Sequence, residues 1–289
     1  MMFSELKPKI AELEKLRAST VIFCICSSMI DSRFALQLHR ILRKLSPIKD
    51  LDLILESGGG QIDSAAKVVN ILKAYSDKFR VIVPFYAKSA ASFLAISADE
   101  FQICKAGELG PIDPQVRHPV LGMFFPASSI KDALNFIETT RDPYIKMTMA
   151  DKLDPLLIGA YKSSERECHQ YIEECPTIKN LPNKDDIVHA LTEKYIDHGY
   201  PITSLICKEL GMTNCNSDHM DKTQEDLIYD IFDTLIDSLI DKDTASELII
   251  LSSKESYIRP NQKIMKPPPF PKPPVKQQPN PSKGSPKTT

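Results

Sequence analysis

The segment LDLILESGGGQIDSAAKVV, residues 51–69, constrains the fold more than any other. An apolar run of strand length breaks on Gly58, Gly59 and Gly60, and a helix-forming stretch follows at once. Glycine where a strand hands over to a helix costs backbone entropy on folding. It marks either backbone angles closed to other residues or bare amides that something must approach closely. On this segment alone both alternatives stay open.

The same apolar-to-amphipathic alternation runs through the first half of the chain. STVIFCICSS (19–28) is short, β-branched and apolar, and so reads as a buried strand, and RFALQLHRILRKL (33–45) has apolar residues at helical spacing. Strand 51–57 and helix 63–75 follow, then strand FRVIVPFYA (79–87), the small-residue helix AASFLAISA (90–98) and strand EFQIC (100–104). Apolar strands alternating with helices predict an α/β fold with a mostly parallel sheet, built by right-handed crossovers. After GELGPIDPQV (107–116) the pattern turns helical, around 128–140, 154–174, 184–198, 202–210 and 222–240. The expected organisation is one unit over 1–258, with an α/β core at about 19–127 and a helical part at 128–258. From Arg259 to residue 289 the sequence is mostly Pro, Lys, Gln and Ser, with almost nothing to bury, which predicts a disordered tail. Its PPPFPKPP string has the composition that docks into aromatic-lined grooves of a partner, although a solubilising basic tail explains it as well.

Charge and cysteine usage narrow the function classes. With 36 basic and 38 acidic residues the net charge is −2, which gives no field for nucleic acid. Seven cysteines at irregular spacing form neither a disulfide framework nor a zinc signature and suit a reducing compartment. The first twenty residues are charged throughout, unlike a signal peptide, and no stretch approaches the ~20 apolar residues of a membrane span. The expected location is the cytoplasm, free or peripheral to a membrane. No metal or cofactor is expected: ESGGGQIDSA lacks the Lys-Ser/Thr pair of a phosphate loop.

A second turn answers the question that the glycines raise. In YAKSAASFLAISADE (86–100), Ser89 stands just past a strand and opens a helix of Ala and Ser. That puts a hydroxyl at the carboxyl edge of a parallel sheet, where open α/β sheets place ligands. The Ala90 amide falls in the first helical turn, whose donors have no intrahelical partner. Taken singly, Ser89 is an ordinary helix cap and the glycines an ordinary tight turn. Taken together, on one edge, they make a nucleophile facing amides that would stabilise an oxyanion.

ILESGGGQIDSA, YAKSAASFLAISADEF and ELGPIDPQ together resemble the serine dehydrogenase proteinase family of the ClpP/crotonase superfamily. Signal peptide peptidase A and the archaeal stomatin-partner proteases are related to it. The resemblance covers about residues 19–215, and GPIDPQ is its most specific piece. It implies a ClpP/crotonase-like fold and a serine peptidase with Ser89 as nucleophile and Gly59 and Ala90 supplying oxyanion amides. It also implies a homo-oligomer acting on peptides or proteins, membrane proteins among its substrates or partners. The family's glycine soon after the serine is replaced here by Ala90-Ala91-Ser92.

The base is the open choice. Lys131, 42 positions after Ser89, resembles the Ser–Lys relatives and is preferred; it requires a site that lowers its pKa. His118, 29 positions after Ser89, is the ClpP-like alternative. Asp113 orients a partner or merely makes an Asp-Pro turn, and His198 reads as a helix C-cap before Gly199. Two other functions compete: a crotonase-like acyl-CoA enzyme, which needs no serine nucleophile, and a non-catalytic assembly protein whose tail recruits a partner.

Overall fold

The computed structural model describes residues 2–117, 122–217, 220–240 and 246–260. The N-terminal helix α1 (Met2–Arg17) leads into β1 (Thr20–Cys26), α2 (Ser32–Leu45), β2 (Ile48–Ser57) and α3 (Ile62–Tyr75). Next come β3 (Ser76–Val83), β4 (Tyr86–Ala87), α4 (Ala90–Ile96), β5 (Glu100–Ile103) and β6 (Glu108–Leu109). β1, β2, β3 and β5 are parallel neighbours in one sheet, and the short β4 pairs in parallel with the end of β2 and with β6. The α/β alternation expected from the sequence is the fold observed.

Both faces of this sheet are covered, which is why its strands are almost uninterruptedly apolar. On β1, Ile22, Cys24 and Cys26 face a large core with α2, α3 and α4, while Val21, Phe23 and Ile25 face the other side. There α1 lays down Leu6, Ile10 and Leu13, spaced as one helical stripe. They meet Ile228, Ile231, Phe232 and Leu235 of a long late helix, Lys222–Ile240, which is α10 below.

The second half is helical, as expected, with two additions. A small antiparallel pair, β7 (Gln115–Arg117) and β8 (Phe124–Pro126), precedes α5 (Ala127–Thr139), α6 (Pro143–Ala150) and α7 (Pro155–Glu173). Then follow α8 (Lys184–His189), a π-helical turn Ala190–Lys194, α9 (Ser204–Glu209) and α10. The helical part does not extend to 258. β9 (Ser246–Ser252) and β10 (Ser256–Pro260) form a hairpin that extends the sheet antiparallel to β1. The reason lies in SELIILS (246–252): Leu248 and Ile250 bury on one face of the sheet, Ile249 and Leu251 on the other. Arg259 therefore belongs to a strand and not to a tail, and the remainder of the expected tail, 261–289, lies outside the described residues.

Candidate active site

Ser89 stands one residue past β4 and immediately before α4, in a backbone conformation that non-glycine residues rarely adopt (φ 53°, ψ −121°). Such a conformation costs of order 1–3 kcal/mol and persists only where the surroundings enforce it. The Ser89 side chain makes no capping hydrogen bond to α4, so helix capping does not account for the residue. The turn is held from several sides. Lys88 N–H donates to the Ser57 carbonyl at 2.9 Å. Ser92 Oγ accepts the Gly110 N–H at 2.9 Å and lies 2.6 Å from the Ala87 carbonyl oxygen and 2.8 Å from that of Gly110.

The glycine turn is packed against this serine. Gly59 has φ 105°, and a Cβ placed on it would stand 2.6 Å from the Lys88 carbonyl oxygen and 2.8 Å from Ser89 Cβ. Gly60, at φ 153°, has no room either: a Cβ there would meet the Ile30 backbone at 2.4 Å. Both readings of the glycines therefore hold together, since the backbone angles and the close approach are features of one turn. The amide assignment changes in detail. Gly59 N–H already donates to Ser57 Oγ at 3.1 Å. Among the described residues, the amides of Gly60 and Ala90 donate to no protein acceptor.

Ser89, Ala90 and the three glycines line a cavity of about 570 Å³. His198 and Asp113 line it too, and His198 Nδ1 lies 2.5 Å from Asp113 Oδ1. Gln115 Nε2 donates to the other oxygen of Asp113 at 3.0 Å, fixing the carboxylate plane. The fold brings these distant positions together through two tethers. Leu109 and Ile202 exchange backbone hydrogen bonds at 2.9 and 3.0 Å, and Lys88 Nζ donates to the Gly199 carbonyl at 3.1 Å. The residue before the serine thus holds the residue after the histidine. His198 is not a helix cap: the π-helical turn ends at Lys194, before it, and its ring is committed to Asp113. Cys168 also borders the cavity, but burial pushes its thiol up to about 12, so no thiolate competes with the serine.

The expectation for Lys131 is not met by this geometry. Its side chain is 59% exposed, its Nζ lies 3.0 Å from Glu193 Oε2, and it borders separate cavities instead of the one lined by Ser89. The hydrogen bond and charge of Glu193 raise the pKa of Lys131, the opposite of what a lysine base requires. His118 lies outside the described residues.

A mostly parallel sheet carrying a strained serine and a glycine turn on its carboxyl edge defines a protein of the ClpP-like class. The chain matches the ClpP-like SDH-type serine proteinase family over residues 27–232, and it belongs to that family. Among curated proteins it is similar to two from Methanocaldococcus jannaschii. The uncharacterized protein MJ0137 is 31% identical over 180 residues, 61% of this chain and 57% of that protein. The uncharacterized protein MJ1495 is 28% identical over 177 residues, 61% of this chain and 56% of that protein. The chain thus spans little more than half the length of these relatives.

Proposed function

We propose that the chain is a serine peptidase in which Ser89 is the nucleophile, His198 the general base and Asp113 the group that orients it. The observation that carries this reading is the Asp113–His198 pair on the wall of the cavity that holds the strained Ser89. With Nδ1 donating its proton to Asp113, the Nε2 of His198 keeps a lone pair free to accept the hydroxyl proton. Ser89 Oγ then attacks the peptide carbonyl carbon, and the electron pair of the C=O bond moves to oxygen. The amides of Gly60 and Ala90 stabilise that oxyanion, a contribution of about 3 kcal/mol per donor in comparable sites. His198 passes the proton to the leaving amine, and water, deprotonated by the same imidazole, releases the acyl group. Neither a metal nor a cofactor enters these steps. The test is labelling by a fluorophosphonate together with hydrolysis of a fluorogenic peptide library. Both activities should disappear in Ser89→Ala, and a variant that still turned over peptides would refute the assignment.

Self-association is part of the same proposal. Phe136, Tyr144, Met147 and Leu156, on α5, α6 and α7, expose between 51% and 83% of their surface. Large apolar side chains grouped on consecutive helices support an interface between copies. Light scattering on the full chain should give a mass above that of one chain, and a monomer at all concentrations would remove this part.

A further inference from the structure

The Ser89 cavity has a candidate occupant within the chain itself. β9 runs antiparallel to β1 and β10 antiparallel to β9, so β10 points the same way as β1 and β2. Its end therefore emerges on the carboxyl edge that carries the catalytic turns. One row of paired residues crosses that edge: Arg259 with Leu248, Leu248 with Cys26, Cys26 with Ser57, and Ser57 with Ala87. At a strand spacing of about 4.8 Å, four steps put Arg259 roughly 19 Å from Ala87, which lies just ahead of Ser89. On the loop side the approach is closer still. Arg259 Nη2 donates to Ser28 Oγ at 2.9 Å, and Ser28 itself lines the Ser89 cavity.

The segment beyond Pro260 matches the cavity in charge and in reach. Residues 261–289 contain six lysines (263, 266, 272, 276, 283 and 287) and neither Asp nor Glu. Asp113 and Glu167 line the cavity, and none of the described residues lining it is Lys or Arg. Met29, Ile112 and Phe124 give it an apolar wall suited to proline rings. A fully extended chain reaches at most about 3.4 Å per residue, so the gap of about 19 Å is within the span of roughly six residues. PPPFPKPP, residues 267–274, begins at that point.

We propose that segment 267–274 docks in cis into the Ser89 cavity, so that the chain's own tail competes there with extended substrates. The proposal rests on reading the cavity as a substrate-binding site. Tethering keeps the local concentration of the segment high, and the fixed φ of each proline leaves less backbone entropy to lose on docking. Five of the seven peptide bonds within PPPFPKPP place proline on the leaving side, where the ring crowds the scissile nitrogen. Such a segment occupies the site without being a good substrate.

The experiment keeps the full chain and reverses the tail charge with Lys263→Glu, Lys266→Glu, Lys272→Glu and Lys276→Glu. Fluorophosphonate labelling of Ser89 should be several-fold faster in this variant than in the unaltered chain. The difference should shrink at high salt, and a synthetic 261–289 peptide should slow the variant again. Fluorescence anisotropy of the labelled peptide on the variant that also carries Ser89→Ala measures docking without any chemistry. Equal labelling rates with no peptide binding overturn the docking and leave the peptidase standing. Peptide binding in a protein that neither labels nor hydrolyses supports the docking and overturns the peptidase. A tail effect that grows with protein concentration means the tail acts between copies, and this too overturns the proposal.

Discussion

Ser89 and Lys131 supply the two residue types of a Ser–Lys peptidase, yet they occupy opposite kinds of environment. Ser89 sits at an enforced backbone conformation against the glycine turn, where a single added methyl at Gly59 would collide with it. Lys131 lies on an outer helix, more than half exposed and paired with Glu193. A nucleophile is placed by the backbone, so it leaves a local trace of glycines and small residues. A base is made by its neighbours, so spacing along the chain says little about it. The ring of His198 is held by Asp113, 85 positions away.

This contrast predicts a steep gradient of mutational effects. Ser89→Ala should abolish turnover while leaving the denaturation midpoint unchanged or raised, because the side chain caps nothing; a large loss of stability would assign the residue to structure. Asp113→Asn should retain the fold and lower kcat by about ten-thousand-fold, as in triads whose histidine loses its orienting carboxylate. A loss below tenfold would show that Asp113 only makes a turn. Gly59→Ala should lose stability and rate together, because its Cβ would strike backbone atoms of the Ser89 turn; strain of about 1–3 kcal/mol is expected in chemical denaturation. A rate loss at unchanged stability would instead point to the amide of Gly59.

The last effect bears on stability and not on the proposed chemistry. Glu56 on β2 is buried, accepts the Tyr86 N–H at 2.9 Å, and burial raises its pKa to about 8 from 4.5. Between those two values the folded state holds a proton that the unfolded chain has released. Stability should therefore fall as pH rises through that window and level off above about 8. Glu56→Gln keeps an acceptor for Tyr86 and should flatten the slope. Urea midpoints at intervals across the window check this, and an unchanged slope would show that Glu56 is ionised in the fold.

Most of the α/β half was legible because its elements are local. Each strand and helix from 20 to 103 carries its own period, and both functional turns are marked by small residues. The hairpin β9–β10 was not legible, because SELIILS is a short apolar run beyond a helical region and pairs with β1 more than 200 residues earlier. α1 escaped for a related reason: its apolar stripe is thin among charges, and only α10 completes the core beneath it. The Asp113–His198 pair left one local signal, GPIDPQ, and its meaning depends on the tethers Leu109–Ile202 and Lys88–Gly199 that only the fold reveals.

The proposed chemistry depends above all on which residue takes the serine proton. The decisive measurement is the rate of peptide hydrolysis, alongside fluorophosphonate labelling, in His198→Ala and Lys131→Ala assayed under the same conditions. His198→Ala should reduce both rates by orders of magnitude, whereas Lys131→Ala, which removes an exposed pair with Glu193, should stay within a few-fold of the unaltered chain. The reverse pattern, a dead Lys131→Ala beside an active His198→Ala, would contradict the assignment of His198 as the base.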